Sequence, residues 1–314
     1  MFNIITLIAA ALSLTAIAND LKFEKIYFNR DTIEMSGLTK KGNDLLFVGD
    51  KLSNRSIYKI IFEKDRFYYK DYINLSNLSG HKMYFTKALL FKHGGRIVKS
   101  PFDLEGLSFC GNDFYLVNEQ VRHLLKISKN KIYQYDIDFD SEFKKLKYPL
   151  GKISTNAGFE GVAIDCENDI AYIAQERSPR GIFKVDLKTQ KILETFLFNN
   201  ETGKRGSNDY ADLYFENGFL YMLERNNHLI SKYSIKDKKV VSTVSFGKLP
   251  NIHLSELYDT GEPFGLAEGM TMSNDQIYIG IDNNGKPISK KGSELFNLKG
   301  SFSSLIIYQR PKGF

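Results

Sequence analysis

The chain repeats itself. Five segments share one plan: EMSGLTKKGNDLLFVGD from Glu34, DLEGLSFCGNDFYLVNE from Asp103, GFEGVAIDCENDIAYIAQE from Gly158, YADLYFENGFLYMLE from Tyr210 and LAEGMTMSNDQIYIGID from Leu266. Each has a polar residue, a short apolar strand, a turn, a second apolar strand and a closing acid. The turns contain Asn43-Asp44, Asn112-Asp113, Asn168-Asp169, Asn217-Gly218 and Asn274-Asp275, residues that tolerate the left-handed backbone of tight hairpins. A third strand follows in SIYKI, HLLKI, GIFKV and LISKY, and a fourth in segments such as KIYQYD, KILETFLF and VVSTVSF. Four antiparallel strands recurring every 52–56 residues or so describe a propeller blade.

The expected fold is therefore all-β, a single β-propeller with five blades. The wider spacing between the first two copies, around LSNLSGHKMYFTKALLFKHGGR, leaves a sixth, degenerate blade open. The strand LKFEKIYF precedes the first repeat without a hairpin of its own. It is placed to pair near SSLIIYQR and close the ring, which removes exposed sheet edges.

The first eighteen residues, MFNIITLIAAALSLTAIA, are uncharged and end in a small-x-small pattern. They read as a signal peptide, 1–18, ahead of one propeller domain, 19–314, and so predict a periplasmic or secreted protein. No later stretch approaches the roughly 20 apolar residues of a membrane helix. The formal charge of +6 is spread along the chain without a basic block, which argues against nucleic acid as a partner. A protein partner stays open. Cys110 and Cys166 make an even pair in an oxidising compartment, either a disulfide or two buried thiols.

The opening positions of the repeats are Ser36, Glu105, Glu160, Asp212 and Glu268; the closing positions are Asp50, Glu119, Glu176, Glu224 and Asp282. The midpoint of every pair falls inside its turn. In a regular hairpin, residues equidistant from the turn face each other, with Cβ atoms about 4.5–5.5 Å apart. The spacing thus predicts two polar residues side by side at one end of each hairpin. Like charges there repel, so a cation is expected to compensate. With inner strands lining the channel, the opening residues form a ring at one mouth. Clustered carboxylates without histidine or cysteine suit calcium. Candidate metal ligands are Glu105, Glu160, Asp212, Glu268, Glu119, Glu224 and Asp282, the alternative for each acid being a bond to backbone N–H or to an arginine. Arg122, Arg177 and Arg225 follow closing acids and serve either as their partners or as clamps for an anionic ligand.

Other motifs fail. There is no G-x-S-x-G, H-E-x-x-H or P-loop, and the five histidines are scattered. Asp136-Ile-Asp138-Phe-Asp140 imitates an EF-hand start but has Ser141 and Lys147 where glycine and glutamate belong, so an alternating strand is expected there.

DLEGLSF, NAGFEGVAID…AYIAQER, DLYFENGFLYMLER and LAEGMTM…IYIGIDNNG resemble the blade signatures of the phytase-like esterase domain family, and the S-G-L, E-G-V and A-E-G elements are also similar to the SdiA-regulated propeller family. The resemblance runs from about Glu34 to Tyr308. It implies an exported propeller with acidic metal sites at the channel mouth and a calcium-assisted hydrolase acting on phosphate or other esters. Glu160, Glu176 and Arg177 are then the expected catalytic residues, and an anionic small molecule or phosphoester the expected ligand. The alternative is a non-enzymatic, calcium-stabilised binding module.

Overall fold

The computed structural model describes residues 18–29, 33–50, 55–80, 91–93, 96–98, 103–119, 122–146, 158–176, 180–198, 209–261 and 266–314. Among them stand five four-stranded antiparallel units, here blades I to V, each starting from one of the repeats. Blade I contains Gly37–Lys41, Asp44–Val48, Ser56–Glu63 and Arg66–Asn74. Blade II contains Leu104–Cys110, Asp113–Asn118, His123–Ser128 and Lys131–Gln134. Blade III contains Phe159–Asp165, Ile170–Gln175, Gly181–Asp186 and Lys191–Leu197. Blade IV contains Tyr210–Glu216, Phe219–Glu224, Leu229–Ser234 and Lys239–Ser245.

Blade V is assembled from both ends of the chain. Ala267–Met272, Gln276–Ile281 and Ser304–Gln309 supply three strands, and Lys22–Asn29 adds the fourth, antiparallel to Ser304–Gln309. The N-terminal strand therefore closes the ring as its sequence predicts. Its far end also pairs in parallel with the outer strand of blade I, Phe28 against Arg66 and Asn29 against Phe67.

The inner strands neighbour one another in a closed cycle, from Gly37–Lys41 through Leu104–Cys110, Phe159–Asp165, Tyr210–Glu216 and Ala267–Met272 back to the start. The apolar core follows this geometry. Each cluster lies between two successive blades: Leu46 and Ile57 with Leu107 and Leu116 (I–II), Val117 with Phe159 and Phe183 (II–III), and Tyr172 with Leu213 and Leu220 (III–IV). Leu223 packs with Met270 and Ile279 (IV–V), and Tyr278 and Leu305 with Leu38 and Phe47 (V–I). A strand inside the ring is covered on both faces, which explains why every residue of Phe159–Asp165 is buried. The β-propeller expected from the repeats is the fold.

Among the described residues, two short α-helices lie between strands. Helix α1, Phe139–Lys145, is capped by Asp138, whose side chain accepts from the Ser141 N–H at 2.9 Å. The aspartate run read as an alternating strand thus starts a helix, because a short carboxylate just ahead of three amides caps better than it pairs. Helix α2, Lys290–Phe296, sits in the last long connection, with Ser289 as its cap. No helix among the described residues is long and apolar enough to cross a membrane. The expected leader lies outside the described residues except for Ala18.

Cys110 and Cys166 are joined in a disulfide that ties the turn of blade II to the turn of blade III. The cysteines are 56 residues apart, and cross-linking a loop of that length stabilises by about 4 kcal/mol in the chain-entropy account. The Cys110→Ser/Cys166→Ser variant should lose stability of that order in guanidinium unfolding, and reductant should then have no further effect on it.

Glycine after the opening residue has a packing reason. A Cβ on Gly161 would lie 2.7 Å from the Asp212 Cα, and one on Gly106 would lie 2.7 Å from the Val162 nitrogen. The contacts are backbone of the next inner strand, which cannot move without opening the ring. Gly161→Ala should therefore destabilise by about 1–3 kcal/mol or more; an unchanged urea midpoint would contradict this account of ring closure.

Candidate acidic channel mouth

The opening and closing residues do not face each other as simple hairpin counting predicts. In blades II to V the inner strand carries one extra residue, a β-bulge, between Leu104 and Leu107, Phe159 and Val162, Tyr210 and Asp212, and Ala267 and Gly269. Beyond the bulge the register has shifted. The Glu119 N–H donates to the Asp103 carbonyl at 2.9 Å, the Glu176 N–H to Gly158 at 3.0 Å, and the Asp282 N–H to Leu266 at 2.8 Å. Each closing acid lies opposite the residue two before the opening one. The bulge re-aims the opening side chain, as bulges do at functional rims.

Aligning the blades by this register gives three sets of equivalent positions. In blades II to V the bulge positions are Glu105, Glu160, Ala211 and Glu268 and the closing positions Glu119, Glu176, Arg225 and Asp282; the repeat of blade I supplies Ser36 and Asp50. Opposite the closing set of blades II to V stand Asp103, Gly158, Asp209 and Leu266. Blade IV departs from the alignment by sequence similarity. Asp212 and Glu224 match the acid pattern by eye, but the ladder pairs Tyr210 with Glu224 and Asp212 with Leu223. Ala211 and Arg225 therefore occupy the ring positions in that blade.

The mouth gathers these groups across blade boundaries. The carboxylates of Glu119, Glu160 and Glu176 offer oxygens that all lie within 4.8 Å of one another, and so do those of Asp50, Asp103 and Glu105. Among the described residues neither group includes a histidine or cysteine. Five of the six residues are buried, and Asp50 is half-buried. Burial raises the carboxyls of Glu105, Glu119 and Glu160 well above their ordinary range, and neighbouring carboxylates push the same way: Glu160 and Asp103 on Glu105, Asp103 and Glu176 on Glu119, and Glu176 on Glu160. Charge of one sign in a desolvated site favours either protons or a bound cation.

Arg225 supplies the compensating cation that like-charge crowding requires. Its Nη1 donates to both oxygens of Glu268 at 2.6 Å, its Nε to Asp209 Oδ2 at 3.0 Å, and its Nη2 to Glu176 Oε1. The guanidinium thus joins carboxylates of blades III, IV and V. Arg122 is buried near Glu119. Burial lowers it to about 10 against the pull of Glu119 and Asp140, and it stacks over the Phe143 ring at 5.8 Å.

Of the other predicted ligands, Asp212 and Glu224 lie off the ring positions, while Asp282 fills a closing position. Asp212 is fully buried and accepts backbone N–H bonds from Leu213 (2.8 Å), Met270 (2.7 Å) and Leu38 (3.5 Å), tying the inner strands of blades IV, V and I. Glu224 accepts from Ser231 Oγ at 2.8 Å and Asn227 at 3.1 Å and faces Arg180 at 3.6 Å. Asp282 is pushed up to about 8 by burial and by Glu34, while its Oδ1 accepts from the Asn284 N–H at 2.7 Å. Arg177 lies outside the described residues. Asp103, Asp209 and Asp50 are mouth residues absent from the list of expected ligands. Asp103 and Asp209 stand two residues before a bulge position, a signal that only the shifted register makes meaningful. Of the histidines, His228 and His253 meet edge to face at 5.0 Å, and His253 caps the short turn Leu254–Glu256.

An acid raised on folding contributes stability that is complete below its unfolded pKa, near 3.9 for aspartate, and is lost as pH rises through the folded value. For Asp282 that window runs up to about 8. Without divalent ions the protein should therefore lose stability between about pH 4 and 8, and Asp282→Asn should flatten the slope by about 1.4 kcal/mol per pH unit. Urea midpoints across that range in chelator test this; a slope unchanged in the variant would show that Asp282 is not the titrating group.

Comparison with solved structures finds distant likenesses. The luciferin-regenerating enzyme aligns at 10% identity over 92% of each chain, with a TM-score of 0.44. The glutaminyl cyclase of Myxococcus xanthus aligns at 15% identity over 57% of this chain and 61% of its own, with a TM-score of 0.37. The chain thus spans less than two thirds of that cyclase. AztD of Citrobacter koseri aligns at 9% identity over 69% of this chain and 48% of its own, with a TM-score of 0.32. The sequence model of the family described as phytase-like, esterase-like activity of phytase, matches residues 33–285, the span holding all five repeats. The chain belongs to that phytase-like family.

Proposed function

We propose that this protein is an exported, calcium-binding propeller that hydrolyses phosphate or other esters at its channel mouth. The observation that carries the reading is the group Glu119, Glu160 and Glu176: three buried carboxylates from two blades, within 4.8 Å of one another, with no soft ligand among them. Such a donor set fits calcium, which takes six to eight oxygens. Glu119, Glu160 and Glu176 would hold the ion, and the neighbouring group of Asp50, Asp103 and Glu105 lies on the same arc. Bound there, calcium supplies Lewis-acid polarisation of a phosphoryl or acyl oxygen and makes a nearby water more acidic.

The chain's own part is to position and to move a proton. Glu176 is anchored through Oε1 to Arg225, so its carboxylate is fixed at the rim of the group. In this reading Glu176 would accept the proton of an attacking water. Arg122, buried beside Glu119, would add positive charge near an anionic substrate. Membership of the phytase-like family supports ester chemistry, and the disulfide together with the uncharged leader supports export.

Hydrolysis of inositol phosphates and simple phosphate and carboxyl esters, measured with calcium and then with excess chelator, is the deciding experiment. Turnover should need calcium and fall at least about 100-fold in Glu160→Gln. Calcium binding without turnover of any ester would leave a calcium-stabilised binding module as the function.

A further inference from the structure

We propose that Arg225 is a tethered counter-ion standing where a second cation would otherwise bind, confining the divalent ion to the arc of blades II and III. The inference rests on the reading of the mouth as a calcium site and adds to it what sets the number and place of the ions.

Three independent features point to this role. The register places Arg225 at the closing position that Glu119, Glu176 and Asp282 fill in blades II, III and V. Its guanidinium reaches carboxylates of three blades, Glu176, Asp209 and Glu268, much as an ion shared between blades would. The same blade carries Ala211, fully buried, where blades II, III and V have glutamate. Blade IV thus brings in a positive charge and withholds a negative one. A guanidinium stays charged at any working pH, so this compensation does not depend on an ion or a proton being present. The surrounding carboxylates Glu268, Glu160 and Glu176 hold Arg225 well above its ordinary range despite its burial.

Glu176 is the boundary of the arrangement. It belongs to the carboxylate group with Glu119 and Glu160 and is also bonded to Arg225. An arginine fork fixes a carboxylate more narrowly than a mobile ion does. On this account the IV–V side of the ring is assembled without metal, and only the II–III side responds to calcium.

Calorimetric calcium titration and thermal melting of the whole protein test this, comparing wild type with Arg225→Met, Arg225→Lys and Arg225→Met/Glu268→Gln. Arg225→Met should bind one more calcium per chain. It should melt more than about 5 °C below wild type in chelator, and calcium should restore more stability to it than to wild type. Arg225→Lys should keep the wild-type stoichiometry. In chelator the double variant should recover part of the lost melting temperature, since one uncompensated carboxylate is gone. If Arg225→Met fails to fold in chelator but folds with calcium, or only the double variant folds, the role stands. If Arg225→Met binds no additional calcium and loses the same stability with and without it, or if removing Glu268 as well restores nothing, the role is overturned. Wild type that binds no calcium while Arg225→Met does would sink the calcium reading of the mouth and leave the counter-ion intact. Wild type that binds calcium while Arg225→Met adds none would do the reverse.

Discussion

One extra residue in the inner strand shapes this molecule. Four of the blades carry a bulge where the inner strand meets the channel mouth. A bulge bends its strand and re-aims the side chain at that point. Here it turns Glu105, Glu160 and Glu268 toward neighbouring blades, while the glycine that follows lets the next inner strand approach at backbone distance. Ring closure and the crowding of carboxylates are therefore two results of one local irregularity. The hydrophobic clusters between blades hold the ring together, and the bulges decide what its mouth contains.

That crowding would be costly if nothing balanced it, because isolated buried charge is strongly disfavoured. The structure meets the problem in three ways. Asp212 is satisfied by amides of three inner strands and so works as a tie at the centre of the ring. Glu176, Asp209 and Glu268 share Arg225. Glu105, Glu119 and Glu160 are raised by burial and by neighbouring carboxylates, although Glu119 accepts the Gly158 N–H at 3.1 Å and Arg225 draws Glu160 the other way. The third arrangement makes its arc of the mouth responsive to a proton or a cation, as burial and Glu34 make Asp282 responsive to a proton, whereas the amide ties and Arg225 hold their carboxylates in place.

Much of this was legible in the repeats. The spacing of turns and apolar strands pointed to blades, LKFEKIYF to ring closure, and the repeated acids to a negatively charged mouth. Two readings needed the structure. Symmetry about each turn suggested that opening and closing acids face each other; the turn is centred half a residue earlier than that symmetry assumes, and the one-residue bulge, which leaves no reliable mark in composition, completes a two-residue shift of the partner. In blade IV the eye aligns Asp212 and Glu224 with the other acids, but hydrogen bonding aligns Ala211 and Arg225. A similar slip in expectation occurred at Asp136 to Asp140, where the local alternation resembles a strand and helix capping prevails.

By itself the sequence determined the period, the strand-turn-strand plan and the chemical class of the mouth. Those follow from local backbone preference and from which side chains tolerate burial. Only tertiary structure decided which carboxylates meet, because Glu119 and Glu160 belong to different blades and touch through ring closure, not through neighbourhood in the chain. It also decided that Arg225 answers for acids of three blades. Electrostatic pairing in a closed ring depends on register and on the distance between blades, and neither is written in any single repeat.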